Sequence, residues 1–101
     1  MEGFTRVAKA AEVGPGTARL VVIGDKEIAL FNVDGKFYAT TNTCAHQGGP
    51  LADGTLQGSI VTCPWHMWTY DVTNGDCKVN PSAKLSCHEV RVEGADVFVK
   101  A

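Results

Sequence analysis

Apolar residues along this chain fall in short runs, broken roughly every eight to twelve positions by turn residues. Ala18 to Ile23 is an apolar run of strand length, stopped by Gly24-Asp25. Glu27 to Val33 follows, then Asp34-Gly35, then Lys36 to Thr40. An Asp-Gly pair between two apolar runs is a strong hairpin signal, since both residues tolerate the positive φ that a tight turn demands. Ser59 to Thr62 is another run, and Thr69 to Val72 leads into an Asn74-Gly75 turn. Near the end of the chain, His88-Val90-Val92 and Val97-Val99 alternate with polar neighbours, as half-buried strands do. No stretch reads as a helix of useful length, and repeats, linkers and low-complexity segments are absent. The spacing predicts an all-β antiparallel sandwich or barrel.

Composition narrows the picture. At 101 residues the chain suits one domain over 1–101, large enough for a single core and too small for two. It is 45% hydrophobic and 20% charged, an ordinary balance for a soluble protein. A formal net charge of −2 supplies no basic footprint for nucleic acid. No apolar run approaches the roughly 20 residues that span a bilayer. The opening Met1-Glu2-Gly3-Phe4-Thr5-Arg6 lacks the basic-then-apolar order of a signal peptide. The expectation is a cytoplasmic protein with no membrane contact.

The chemistry concentrates in two segments, Cys44-Ala45-His46 and Cys63-Pro64-Trp65-His66. Each supplies one thiolate and one imidazole, the mixed donor set of a Rieske [2Fe–2S] centre. Four thiolates leave a [2Fe–2S] core with surplus negative charge, which opposes reduction. Two neutral imidazoles in place of two thiolates make the oxidised site formally neutral and reduction easier. Such centres span about −150 to +300 mV, against about −400 mV for plant-type ferredoxins. A Cys₂His₂ zinc site is the rival metal reading. Zinc fingers, however, usually place two cysteines in one knuckle and two histidines in the other, whereas each knuckle here is mixed. The plainer alternative is two unrelated Cys/His pairs, with the cysteines packed as small hydrophobes.

The flanking residues carry a family resemblance. The first loop runs Cys44-Ala45-His46-Gln47-Gly48-Gly49-Pro50-Leu51, and the second runs Cys63-Pro64-Trp65-His66-Met67-Trp68-Thr69-Tyr70-Asp71. Over nearly its whole length the chain resembles the Rieske ferredoxin family, with Val79-Asn80-Pro81-Ser82 similar to that family's third, proline-containing loop. The resemblance implies a Rieske-type antiparallel β-sandwich with the cluster-binding loops at one tip. It implies one [2Fe–2S] cluster, with Cys44 and Cys63 on a buried iron and His46 and His66 on an outer, exposed one.

Within that family, high-potential members add a disulfide clasp between the loops, at positions occupied here by Gly49 and Trp65. They also use a serine and a tyrosine as donors to sulfur. Trp68 stands at the serine position and Tyr70 at the tyrosine position. Donors to sulfur stabilise the added electron, so the missing serine implies a potential in the lower half of the Rieske range. Tyr70 reads equally as a donor to sulfur and as a core aromatic. Trp65 reads as cover for the second loop, and Trp68 as a contact residue for a partner. Met67 departs from the glycine usual after the second ligand histidine in oxygenase large subunits. The Met67-Trp68-Thr69-Tyr70 run is more similar to ferredoxins of toluene 4-monooxygenase-type systems than to classical ring-dioxygenase ferredoxins.

The remaining candidates are quieter. Cys77 and Cys87 flank the proline loop and read as two reduced structural thiols, a disulfide being the alternative. His88 reads as a packed or surface histidine. Asp53, Asp71 and Asp76 form no acid/base pair and read as turn residues.

The resemblance implies a soluble one-electron carrier that is not itself an enzyme. It would take electrons from a flavin or iron–sulfur reductase and pass them to a terminal oxygenase or hydroxylase, as in aromatic hydrocarbon catabolism, and be a monomer in isolation. A small subunit of an oxidoreductase such as nitrite reductase is the second reading, and a redox sensor or regulator the third.

Overall fold

A computed structural model describes residues 3–42, 50–64, 67–79 and 83–100. Among the described residues nine strands follow in chain order: β1 (Phe4–Lys9), β2 (Ala18–Ile23), β3 (Lys26–Val33), β4 (Lys36–Thr41), β5 (Thr55–Gln57), β6 (Ile60–Thr62), β7 (Thr69–Asp71), β8 (Cys87–Glu93) and β9 (Asp96–Lys100). The helical elements among the described residues are two single 3₁₀ turns, Ala10–Glu12 and Leu51–Asp53. All strand pairings are antiparallel. Six strands form one sheet in the order β1-β9-β8-β4-β3-β2, and β5-β6-β7 form a second, smaller sheet.

β3 explains how the two sheets share one small molecule. Ile28 and Leu30 point to one side, into a core with Val21, Ala39, Val97 and Val99. Ala29 and Phe31 point to the other, into a core with Leu51, Val61, Cys63 and Tyr70. Successive strand residues face opposite sides, so a strand covered on both faces must be apolar at every position, as Ile28-Ala29-Leu30-Phe31 is. Ala8 of β1 and Val21 of β2 lie at opposite ends of the strand order yet share one core. The large sheet therefore curls around its own interior, and the small sheet packs on its outer side through β3. Burying Phe31 alone contributes up to about 3 kcal/mol.

The turns form where their residues allow. Asp34 (φ 52°) and Gly35 (φ 93°) both lie in the left-handed region, the geometry of the tight β3–β4 hairpin. Beside it, buried Asn32 donates through Nδ2 to the Val13 carbonyl at 2.7 Å and accepts from the Gly35 N–H at 2.7 Å. It thereby staples the β1–β2 connection to this hairpin.

The predicted strands at 18–23, 27–33, 36–40, 59–62 and 69–72 are present with ends moved by at most one residue. Two strands are additional, β1 and β5. Val92, expected to be half-buried, is 47% exposed. It lies beyond the part of β8 that pairs with β4, which stops at His88.

Candidate metal centre

Three chain segments, one after β4, one after β6 and one after Cys77, are each closed at the base by hydrogen bonds. The second ligand segment lies between β6 and β7. Cys63 directly follows β6, and its N–H donates to the Trp68 carbonyl at 2.7 Å, one step beyond the Thr62–Thr69 pair. The Cys63 side chain is fully buried, in the core that holds Leu51, Val61 and Tyr70. Met67, at the far side of the same loop, is 68% exposed with φ 59°.

The first ligand segment begins after β4 and is closed by Asn42. The Asn42 carbonyl accepts from the Leu51 N–H at 2.8 Å, and Asn42 Oδ1 accepts from the Ala52 N–H at 2.8 Å. Its own N–H donates to the Glu27 carbonyl at 3.0 Å. Asn42 is 3% exposed, so these bonds also meet the requirement that a buried polar group be paired. The third segment is closed where the Cys77 N–H donates to the Ala83 carbonyl at 3.4 Å. The Lys78 N–H donates to the Thr69 carbonyl at 2.8 Å, which places the start of this segment beside the end of the second.

The bases of the first two segments are in direct contact. Gly54 follows the turn Leu51–Asp53, and a Cβ built on it would lie 2.1 Å from the Thr62 carbonyl oxygen. Only a residue without a side chain fits there. The Thr62 carbonyl belongs to the peptide unit that carries the Cys63 N–H.

Among the expected ligands, Cys63 is placed by the structure, whereas Cys44, His46 and His66 lie outside the described residues. So do Trp65, Gly49 and the Asn80-Pro81-Ser82 part of the proline loop. The donor chemistry suits an iron–sulfur group with one shielded side. A thiol buried at a loop base, on backbone held from two sides, fits an inner-iron ligand that must be dry and fixed.

The other candidates lie outside the expected ligand set. Tyr70 is fully buried, opposite Val61 in the small sheet and bridged to Cys77. Trp68 packs, partly exposed, against the same core, so it covers the loop whatever else it touches. Cys77 and Cys87 are not joined by a disulfide; Cys77 is buried and Cys87 lies at the surface. Partial burial pushes the Cys87 thiol above its ordinary pKa, with Asp76 and Asp71 adding to the rise and Lys84 opposing it. His88 is half-buried on β8 and lines an open polar groove with Asp25, Lys26, Glu27, Thr41 and Ser86. Asp71 caps its own turn, accepting at Oδ1 from the N–H and hydroxyl of Thr73 at 2.9 and 2.6 Å.

Asn42 and Gly54 carry little signal in the sequence. A polar residue ending an apolar strand is a weak pointer to Asn42. Gly54 reads as an ordinary turn glycine, because its constraint comes from a strand that follows it in the chain.

The chain is similar to known proteins in both sequence and fold. The Rieske [2Fe-2S] domain family matches residues 3–95. The biphenyl dioxygenase ferredoxin subunit of Pseudomonas sp. (strain KKS102) is 39% identical over 98 residues, spanning 95% of this chain and 90% of that one. A chain in the complex of reduced oxygenase and oxidized ferredoxin in carbazole 1,9a-dioxygenase superposes with a TM-score of 0.88 at 35% identity, over 94% of this chain and 99% of that one. The Sphingomonas yanoikuyae B1 ferredoxin also superposes with a TM-score of 0.88, at 29% identity over 96% and 97% of the two chains.

Proposed function

Because this chain belongs to the Rieske [2Fe–2S] domain family, we propose that it is a one-electron carrier, with Cys44 and Cys63 binding one iron and His46 and His66 the other. It takes electrons from a flavin or iron–sulfur reductase and hands them to a terminal oxygenase or hydroxylase. When bound, the cluster supplies a one-electron redox couple and nothing else, so the chain transforms no substrate and is not an enzyme by itself. It acts as one domain over 1–101, a cytoplasmic monomer between encounters. No helix among the described residues is long and apolar enough to cross a membrane.

The residues of the chain do three things in this scheme. Cys63 holds its iron from a fully buried position, which keeps water from the thiolate. The closed loop bases hold the ligands in one geometry for both charge states, which keeps reorganisation on electron transfer small. Met67 and Trp68 border the second ligand segment, and the exposed Met67 side chain offers apolar surface to a docking partner.

The observation that carries the reading is the joint match in sequence and fold to ferredoxin components of dioxygenase systems, over almost the whole of both chains. The test is EPR of the iron-loaded protein after reduction, paired with purification from its source under mild conditions. A Rieske-type signal that is changed or lost in His46→Cys is the expected result, together with a separable reductase and oxygenase. A zinc-only protein, or an unaltered signal in His46→Cys, overturns the ligand assignment. Tight co-purification with a sirohaem subunit overturns the carrier role in favour of a nitrite reductase subunit.

A further inference from the structure

We propose that Gly54 is a positioning residue that sets the spacing between the two ligand segments. It acts with the turn Leu51–Asp53 and Asn42 as a spacer between them. This rests on the ligand reading given above and adds residues that touch no iron.

A single peptide unit, Thr62–Cys63, is held from both sides. Its N–H, that of Cys63, is held by the Trp68 carbonyl at 2.7 Å. Its carbonyl, that of Thr62, lies against Gly54, where a Cβ would come to 2.1 Å. The peptide that places Cys63 is thus gripped on one side by its own loop and on the other by the chain returning from the first ligand segment. Gly54 has φ −78°, which any residue adopts, so the demand for glycine here is one of contact and not of backbone conformation.

The contact is transmitted to the first segment through rigid parts. Leu51 is fully buried beside Cys63 in the same core, so the turn it begins has little room to give. The Gly54 N–H donates to the Leu51 carbonyl at 3.0 Å, and that oxygen would lie 3.1 Å from an added Cβ. Asn42 ties the strand leading to Cys44 onto this turn through Leu51 and Ala52. A methyl group at position 54 therefore has two ways out. Either the Thr62–Cys63 peptide rotates and loses its bond to Trp68, or β5 and the turn move off β6 and carry Asn42 with them. Both change where Cys63 stands relative to the segment holding Cys44 and His46. Ligand placement, in turn, tunes a metal centre.

The test compares iron-loaded wild type, Gly54→Ala, Asn42→Ala, Asn42→Asp and Gly14→Ala by iron content, EPR and midpoint potential. Gly14 is the control, since a Cβ there meets nothing within 4 Å. The expected result is a shifted potential and altered g-values in Gly54→Ala, with less iron per chain. Asn42→Ala shifts in the same way, Asn42→Asp keeps more iron per chain than Asn42→Ala because it keeps the acceptor for the Ala52 N–H while its buried charge lowers the potential by itself, and Gly14→Ala is unchanged. Gly54→Ala with wild-type potential and spectrum overturns the proposal. If Gly54→Ala does not fold, Asn42→Ala decides, and wild-type values there overturn it equally. A wild-type protein without a Rieske signal defeats the ligand reading and the spacer with it. A wild-type signal that no variant changes defeats the spacer alone.

Discussion

The N–H of Cys63 donates to the carbonyl of Trp68 at 2.7 Å, which closes the base of the connection between β6 and β7. Just before Trp68, Met67 has a positive φ of 59°. An L-residue in that region costs roughly 1–2 kcal/mol relative to its ordinary conformations. Glycine avoids this cost but loses more entropy on folding, by roughly 0.4–1 kcal/mol. Met67→Gly should therefore stabilise the iron-loaded protein by about 0.5–1 kcal/mol, seen as a higher urea midpoint at unchanged slope. A lower midpoint would mean that the Met67 side chain has packing contacts worth more than the strain.

The same position shows how much of the site is legible in the sequence. Met67 stands out there as a departure from glycine, but only the closed loop reveals why glycine is usual at that point. The proposed ligand segments are read from donor type and spacing, which are local properties of the chain. The strand at Lys26–Val33 is equally plain, since burial on both faces writes an unbroken apolar run. β1 is not visible. A register shift between Arg6 and Ala8 breaks the alternation that marks a half-buried strand. β5 is Thr55-Leu56-Gln57, one apolar residue between two polar ones, and it makes no apolar run, whereas the equally short β6 carries Ile60-Val61 and β7 leads into the Asn74-Gly75 turn. Gly54 and Asn42 answer to neighbours distant in the fold, and no local pattern encodes that.

His88 gives a prediction about pH. Burial disfavours its charged form, and Lys26 across the groove adds repulsion. A backbone hydrogen bond involving Lys100 works the other way, and the net result is a pKa below the ordinary histidine value. With the folded pKa depressed, the unfolded chain binds the proton more readily. The contribution of neutral His88 to stability is thus present above the unfolded pKa of about 6.5 and is lost as pH falls through the folded pKa. NMR titration should show His88 with a midpoint below 6.5, and Lys26→Ala should raise that midpoint without reaching the free value, because burial remains. A midpoint unmoved by Lys26→Ala would leave burial as the whole cause.

Cys87 and Gly75 yield a second pair of expectations. The raised pKa of Cys87 means less thiolate at a given pH, and the thiolate is the reactive form. Iodoacetamide should alkylate Cys87 more slowly at about pH 8 than a free cysteine, with the rate still climbing at higher pH. Gly75 sits against this thiol with φ +83°, and an added Cβ would lie 2.4 Å from the Leu85 carbonyl oxygen and 3.0 Å from Cys87 Sγ. Gly75→Ala combines a backbone penalty with a clash and should destabilise by about 2–4 kcal/mol. Alkylation of Cys87 should be faster in the variant as the Leu85–Cys87 segment is forced outward. Wild-type stability in Gly75→Ala would show that the turn can open at little cost.

Tyr70 separates packing from redox tuning. Its ring is fully buried in the core that contains Cys63, and no buried side-chain oxygen or nitrogen among the described residues lacks a hydrogen-bond partner. Tyr70→Phe keeps the ring and removes the hydroxyl. A donor to a ligand sulfur stabilises the electron-rich reduced state more than the oxidised one. Losing a difference of about 1 kcal/mol corresponds to roughly 40 mV for a one-electron couple. The expected outcome is a midpoint potential lower by a few tens of millivolts, measured by protein-film voltammetry, with the EPR signal retained. An unchanged potential together with a lowered urea midpoint would instead assign the hydroxyl to the fold, and leave Tyr70 as a core residue beside the metal site.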